Sequence, residues 1–289
     1  MTVISQSISV TCHDEELIAA TLFKTHDPVK AAVMIAPATG IKQGFYAKFA
    51  TFLAEQGYGV ITFDNRGIGA SLKGNVSQSK ATLQCWGEKD ATAVLDRLMT
   101  EFPNTSYHLV GHSAGGQLIG LMPNSDKLSS VFNFACSSGR LKNMSFTHKL
   151  KAHYFMNVFI PMTNLLFGHT KSQWVGMGEP LPKNVSKQWQ KWCNGQGYVK
   201  TAFGKTVFEH KYDELDMPSL WLNATDDDIA INENVSDMIS VFSKAKHHAQ
   251  TQTLAPKDYG FNDIGHMKFF SSKRQSLWPM ATEWLAKHS

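Results

Sequence analysis

The sequence lacks the cysteine patterns of several protein classes. Its four cysteines, Cys12, Cys85, Cys136 and Cys193, are far apart, and no two of them have the C-x-x-C spacing of a zinc or redox site. No histidine completes a zinc-type spacing either. We therefore expect no metal site and no disulfide framework, and we expect the thiols to be free and buried.

Long apolar runs and strong net charge are also missing. No stretch of 18 apolar residues occurs, and no basic segment precedes an apolar one near the N-terminus, so neither a membrane span nor export is predicted. The cytoplasm is the expected compartment. The formal net charge is only +4, and no basic stretch is interleaved with aromatic residues, which argues against binding to nucleic acid.

The chain does contain enough apolar residues for one large domain. It has 289 residues, of which 43% are hydrophobic. Short apolar runs, typical of strands buried on both faces, alternate with segments of helical periodicity. This order predicts an α/β fold with a mostly parallel, doubly wound sheet, and ligands at the carboxyl ends of its strands. The clearest strands are AAVMIAP, GVITF, YHLVG and VFNFAC, the clearest helices are FYAKFATFLAEQ and WGEKDATAVLDRLMTEF, and ELIAATLF has the alternation of an antiparallel edge strand.

The strand rhythm stops between residues 140 and 212, after VFNFAC, which is expected to be the sixth strand of the sheet. This part is rich in methionine and aromatic residues, is broken by prolines and glycines, and contains ten lysines against two glutamates. It predicts a mostly helical lid, inserted into a core made of residues 1–139 and 213–289. Its methionine and aromatic residues are more typical of core packing than of a binding surface.

The segment YHLVGHSAGGQLIG places one serine where a strand gives way to a helix. Gly111 and Gly115 flank Ser113 in the pattern G-x-S-x-G, which allows a sharp turn with the hydroxyl at its apex. The pattern is short, so its weight depends on residues elsewhere in the chain. A serine nucleophile needs a base to take its proton and an acid to orient that base.

Both partners follow in the order serine, acid, histidine. Three aspartates at 226–228 follow the apolar strand LWLNAT, and His266 follows the last predicted strand, AQTQTLAP. The acidic run could alternatively bind calcium, but no further ligands at EF-hand spacing follow it. Packing is the expected role of His112, on the strand side of the turn. His247 and His248 precede the last strand and so lie at the wrong end of the sheet.

On these segments the sequence resembles the α/β-hydrolase superfamily, nearest its lidded serine esterases and monoglyceride-lipase-like hydrolases. The resemblance extends over nearly the whole chain, through PATGIKQGFYAKFATFLAEQGYGVITFDNRGIGAS, GHSAGG, DDDIA and GHMKFF. It implies a catalytic triad of Ser113, Asp227 and His266. Asp226 and Asp228 are then expected to be solvated neighbours of the triad acid.

The resemblance also implies an oxyanion hole. The family has an H-G-x-G-type loop after the third strand, and this chain has Pro37 and Ala38 in place of the histidine and glycine. The matching donors are the backbone N–H groups of Thr39 and of Ala114, the residue after the nucleophile. The Thr39 hydroxyl is available as a further donor. The turn DNRGIGAS, residues 64–71, is expected to fix a loop beside the nucleophile through its aspartate and arginine.

The resemblance implies a serine hydrolase without metal or cofactor that acts on a small-molecule acyl substrate. An apolar lid that lines the pocket favours a carboxylic ester, while thioesterase, lactonase and aminopeptidase activities, or transfer to an acceptor other than water, remain alternatives. Serine as nucleophile argues against dehalogenases and epoxide hydrolases, which use aspartate. A non-catalytic binding protein of the same fold is the alternative from another class. The oligomeric state is open.

Overall fold

The computed structural model describes residues 2–289 and contains one eight-stranded sheet with the order β1-β2-β4-β3-β5-β6-β9-β10. β1 pairs antiparallel with β2, and β2 with β4, whereas all the other neighbours are parallel. This confirms the predicted α/β sheet. The strands are β1 (Ile4–Thr11), β2 (Leu17–Lys24), β3 (Ala32–Ala36), β4 (Gly59–Phe63), β5 (Tyr107–His112), β6 (Ser130–Phe134), β9 (Ser219–Ala224) and β10 (Ala249–Leu254), and a separate antiparallel pair consists of β7 (His169–Thr170) and β8 (Leu181–Pro182).

Burial along the strands follows their place in the sheet. Every residue of β3, β4 and β6 is buried, as expected for strands covered on both faces. ELIAATLF forms β2, which is antiparallel as predicted but is not the edge strand. β1 lies outside it, and its polar, mostly exposed sequence ISQSISVT gave little apolar signal from which to predict it.

Helices occupy most of the remaining chain. Both predicted helices form, but the second begins with a π-helical turn at Trp86–Ala91. Within residues 2–289 no helix combines the length and the apolar character needed to cross a bilayer. The α-helices are α1 (Ala47–Glu55), α2 (Leu83–Cys85), α3 (Thr92–Glu101), α4 (Ala114–Gln117), α5 (Phe146–Tyr154), α6 (Ile160–Phe167), α7 (Lys183–Cys193), α8 (Asn232–Ile239) and α9 (Pro279–Lys287), and a second π-helical turn spans Phe155–Phe159.

A cluster of aromatic rings fixes the C-terminal segment against the sheet. The ring of Phe49 on α1 lies 5.8 Å from Phe134 at the end of β6, 5.3 Å from Phe270 and 5.6 Å from Trp278, between ring centroids. All four side chains are buried. Edge-to-face contacts of this kind add to the free energy gained from burial. They hold the chain immediately after His266 in a fixed position at the end of the central strands.

The chain between β6 and β9 leaves the sheet and contains α5, α6, α7 and the β7–β8 pair. This segment is bound to the loop after β3 at two points. The Glu179 N–H donates a hydrogen bond to the Gly40 carbonyl over 2.8 Å, and the Glu179 carboxylate pairs with Lys42 at 2.9 Å. The segment therefore lies against the loop that follows the third strand.

The four cysteines are free. Cys12, Cys136 and Cys193 are buried as expected, whereas Cys85 is only partly buried. Among residues 2–289 no three His, Cys, Asp or Glu side chains are grouped so that they could hold a metal ion.

Candidate active site

Ser113 occupies a strained turn between β5 and α4. Its backbone has φ +49° and ψ −113°, in a region that residues with a Cβ rarely adopt. The glycine at 115 allows the turn to pack against β3, because a Cβ at that position would overlap the Ala36 carbonyl. At Gly111, a Cβ would lie 2.6 Å from the Gly116 nitrogen. Close packing around the turn therefore excludes side chains at both flanking glycine positions.

Asp227 and His266 are joined by a partly buried hydrogen bond. The Nδ1 of His266 lies 2.8 Å from Oδ2 of Asp227, whose side chain has no solvent exposure. The other oxygen, Oδ1, accepts the N–H groups of Ile229 and Ala230 over 2.8 and 2.9 Å. Both carboxylate oxygens are thus engaged, so the carboxylate cannot rotate freely. The imidazole is held with Nδ1 towards the acid and Nε2 available for chemistry.

The environment of Asp227 favours its ionised form. Burial acts to raise its pKa, but the neighbouring His266 and the hydrogen bonds from the Ala230 and Ile229 N–H groups outweigh burial and hold the pKa below its ordinary value. A carboxylate that stays charged can both orient a neutral imidazole and stabilise an imidazolium.

Ser113 and His266 line the same cavity, which has a volume of about 580 Å³. Thr39 also lines it, while Ala114 and Asp227 are buried and are not among its lining residues. The segment between β6 and β9 supplies much of the apolar wall, and no acidic side chain is among the lining residues within the described part of the chain. The apolar residues from this segment are Met144, Ala152, Tyr154, Phe155, Met156, Val175, Met177, Trp189 and Cys193.

The N–H groups of Thr39 and Ala114 have no hydrogen-bond acceptor within residues 2–289. The amides next to them are occupied, since the Ala38 N–H donates to Tyr46 Oη over 2.9 Å and the Ser113 N–H donates to the Phe134 carbonyl over 3.1 Å. A free donor on the residue after the serine and another on a residue that lines the same cavity are what an oxyanion hole requires.

His112 connects the two loops of the site instead of serving only as packing. Its Nε2 lies 3.0 Å from the His266 carbonyl, and its Nδ1 lies 2.8 Å from Tyr46 Oη. Because a carbonyl only accepts, Nε2 carries the proton and Nδ1 accepts from the tyrosine hydroxyl. The hydrogen bonds therefore run in one direction, from Ala38 through Tyr46 and His112 to His266. Sequence reasoning missed this link, although a histidine buried beside a nucleophile must find partners for both ring nitrogens.

Asp226 is not merely a solvated neighbour of Asp227. Its Oδ2 accepts the Ile264 N–H over 2.9 Å, and its Oδ1 accepts the Gly265 N–H over 3.0 Å. Gly265 has φ +54°, and this turn immediately precedes His266. Adjacent carboxylates thus hold the same loop, one through its backbone and one through the imidazole.

Asp228, the third aspartate of the run, faces the segment between β6 and β9. It is exposed and lies 3.4 Å from Nδ1 of His148 on α5. His148 also lines the cavity. The expectation that Asp228 is solvated is therefore correct for its exposure but overlooked this contact.

The DNRGIGAS turn is fixed beside the site by its aspartate. Asp64 is buried and accepts the Gln43 N–H over 2.7 Å and the Ala70 N–H over 2.9 Å, which ties the turn to the chain that follows the Thr39 loop. Arg66 points elsewhere and pairs with Asp90 in the first π-helical turn. Asp64 therefore fixes this loop as expected, whereas Arg66 does not.

Acidification from pH 7 to pH 5 is expected to weaken the fold partly through His112. Burial lowers the pKa of His112 to about 3, whereas a histidine in an unfolded chain has a pKa of about 6.5. Between these two pH values, only the unfolded chain binds a proton at this residue. The residue should account for about 2 kcal/mol of the loss in free energy of unfolding. Urea unfolding of the wild type and His112→Gln at both pH values measures this. If both proteins lose the same amount, His112 is not a neutral buried histidine.

Comparison with known proteins gives the family. The sequence profile of the family described as serine aminopeptidase, S33, matches residues 18–175, more than half of the chain. No curated protein matches the chain. Among solved structures, the chain is similar to a soluble variant of monoglyceride lipase from Saccharomyces cerevisiae in complex with a substrate analogue, at 15% identity and a TM-score of 0.70 over 100% of this chain and 96% of that one.

Two further structures share the fold. A thermostable carboxyl esterase from Bacillus coagulans, in complex with glycerol, has 13% identity and a TM-score of 0.65 over 99% of both chains. The monoacylglycerol lipase of Paleococcus ferrophilus has 16% identity and a TM-score of 0.59 over 94% of this chain and 99% of that one. At such low identity these likenesses establish the fold, and the profile match establishes the family. The chain belongs to the serine aminopeptidase S33 family and is a serine hydrolase of the α/β-hydrolase type.

Proposed function

We propose that the chain hydrolyses a carboxylic ester of a small, largely apolar substrate through an acyl-enzyme on Ser113. The observation that carries this proposal is the 2.8 Å hydrogen bond between Asp227 and His266, at a cavity that Ser113 also lines. The strained turn at Ser113 and the two unoccupied amides beside it supply the remaining parts of the chemistry.

The first half of the reaction forms the acyl-enzyme. Nε2 of His266 takes the proton of the Ser113 hydroxyl as its oxygen attacks the substrate carbonyl, and Asp227 stabilises the resulting imidazolium. The N–H groups of Thr39 and Ala114 stabilise the negative charge on the carbonyl oxygen, where one such donor typically contributes about 10²- to 10³-fold to turnover. The imidazolium then protonates the departing alcohol. In the second half, His266 activates water in the same way, and the acid is released.

The cavity favours an apolar acyl group. Its volume of about 580 Å³ suits a small molecule, and its walls are mostly methionine and aromatic side chains. In this proposal residues 140–212 form a lid over a core made of residues 1–139 and 213–289. We expect a cytoplasmic enzyme without metal or cofactor.

Ester hydrolysis is favoured over aminopeptidase activity by the charges in the cavity. A substrate with a free α-amino group needs a carboxylate to replace the water around its ammonium. The described residues that line the cavity include Lys151 and His148 but no aspartate or glutamate. Thioesters and lactones need the same catalytic groups as esters, so they remain alternatives.

Replacing the nucleophile tests the mechanism. Ser113→Ala should lower the turnover of a p-nitrophenyl ester by about 10⁶-fold, because the rest of the triad cannot form an acyl-enzyme without the hydroxyl. A fluorophosphonate probe should label the wild type and not the variant. Ser276→Ala, at an exposed serine, is the matched control and should behave as the wild type. Normal turnover or labelling of Ser113→Ala would exclude the proposed acyl-enzyme.

The two outer aspartates of the acidic run should differ in their effect on catalysis. Asp226→Ala removes the acceptor of the Ile264 and Gly265 N–H groups, so we expect kcat to fall by about tenfold with KM little changed. Asp228→Ala is the adjacent control and should leave kcat nearly unchanged. Steady-state kinetics, with urea unfolding of both variants, separates positioning of His266 from loss of stability. Equal kcat values for the two variants would show that the Asp226 contacts do not position the base.

A substrate series tests the pocket. For p-nitrophenyl esters, kcat/KM should rise by about threefold for each added methylene until the cavity is filled, and then fall. An aminoacyl p-nitroanilide should be a poorer substrate than the neutral ester of matching size. Preference for the free-amine substrate would contradict the ester assignment and support peptidase activity, and no dependence on chain length would contradict an apolar acyl site.

A further inference from the structure

Exposed apolar side chains are concentrated in one part of the surface. Among the described residues, thirteen large apolar side chains are exposed, and ten of them lie between residues 146 and 175. We call this surface the 146–175 face. Its members are Phe146, Leu150, Tyr154, Val158, Met162, Leu165, Leu166, Phe167, Trp174 and Val175.

Six of these residues form a row along one long helix. α5, the second π-helical turn and α6 follow each other without a break from 146 to 167, a length of about 33 Å at 1.5 Å per residue. The row consists of every fourth residue from 146 to 166, namely Phe146, Leu150, Tyr154, Val158, Met162 and Leu166. Four residues of an α-helix turn by about 400°, so each step moves the row about 40° around the helix axis. The wider π-helical turn in the middle turns less per residue and therefore moves the row part of the way back. The opposite side packs inward through residues such as Phe155, Phe159 and Ile160, which are buried.

Two aromatic rings and a lysine lie together at the C-terminal end of the face. The rings of Phe167 and Trp174 are 5.3 Å apart, edge to face. Nζ of Lys171 lies 5.0 Å from the first ring and 5.7 Å from the second. Aromatic rings next to lysine are the combination found where helices lie at a membrane surface.

The segment that carries this face has charges of a single sign. From residue 127 to residue 178 the sequence contains no aspartate or glutamate, but it contains Arg140 and several lysines, including Lys149, Lys151 and Lys171. Asp228 pairs with His148 on α5, but none of these three lysines is in an ion pair within the described residues, so two copies of this face would bring unpaired cations together. An anionic partner is therefore favoured over self-association.

The face is continuous with the catalytic cavity. Tyr154 and Val175 belong to the 146–175 face and also line the cavity that contains Ser113 and His266. A partner on this face would therefore cover the surroundings of the cavity mouth.

We propose that the 146–175 face docks onto an anionic lipid bilayer. The helix lies in the plane of the interface, its apolar row enters the region between headgroups and acyl chains, and the lysines contact the lipid phosphates. An apolar substrate can then pass from the bilayer into the cavity without crossing water. This last consequence rests on the proposed ester hydrolysis, whereas the docking does not.

Vesicle sedimentation of the purified full chain tests the docking. We expect binding to phosphatidylcholine vesicles that contain about 30% phosphatidylglycerol, and much weaker binding to pure phosphatidylcholine. Leu165→Ser with Leu166→Ser should lower the partition coefficient at least about tenfold, since both side chains lose apolar burial in the bilayer. Lys149→Gln with Lys171→Gln should lower it roughly 30-fold on the anionic vesicles. Phe208→Ser, at a residue 75% exposed outside the face, is the matched control and should bind as the wild type.

Three results would overturn the proposal. The wild type could remain in the supernatant with both vesicles, the Phe208 control could lose as much binding as the leucine variant, or analytical ultracentrifugation could detect a dimer that the leucine variant dissociates. None of these measurements depends on turnover, so they distinguish failure of docking from failure of the proposed function. With a soluble short-chain ester, the leucine variant should retain wild-type kcat/KM and lose activity only on vesicle-embedded ester.

Discussion

The site depends on the hydrogen bond between His266 and the buried carboxylate of Asp227. A carboxylate without solvent contact is stable only when its oxygens have partners, and here two backbone amides and one imidazole supply them. The aspartate follows β9 and the histidine follows β10, so the bond joins the ends of two neighbouring parallel strands. The order of the strands in the sheet therefore brings together residues that are 39 positions apart in the sequence.

A second set of hydrogen bonds holds the backbone of His266. Tyr46 and His112 are fully buried and connect the amide before Thr39 to the carbonyl of His266. The aromatic cluster around Phe270 adds packing on the same side. The proposed oxyanion donors and the proposed base are thus attached to one rigid body, which suits electrostatic catalysis because the donors need not reorganise during the reaction.

Much of the sheet could be predicted from the sequence because its central strands are buried on both faces. Continuous apolar runs such as those of β3 and β4 leave few other interpretations. β1 was missed since it pairs through its backbone and exposes a polar sequence. The serine, aspartate and histidine could be proposed from their order along the chain and from the family resemblance. The contacts of Asp226 and His112 could not, because their partners are backbone groups that carry no sequence signal.

The segment between β6 and β9 was the hardest part to predict. Methionine and aromatic residues there were expected to be core, and some are, but ten apolar side chains of residues 146–175 are exposed. The composition of a helix shows how apolar it is. Which of its sides is exposed depends on the elements that pack against it in the folded chain. The π-helical turn, which keeps the exposed row on one side, has no simple sequence signature either.

The hydrogen bond between Glu179 and Gly40 joins two regions that are far apart in the sequence. The carbonyl that accepts it belongs to Gly40, the residue immediately after Thr39, so this hydrogen bond ties the wall of the cavity to the loop with the proposed electrostatic donor. Moving the wall outward to admit a bulky molecule would have to break this hydrogen bond or move the Gly40 carbonyl with it. Opening the wall therefore costs this contact, whereas a slender molecule that enters without moving the wall leaves it in place.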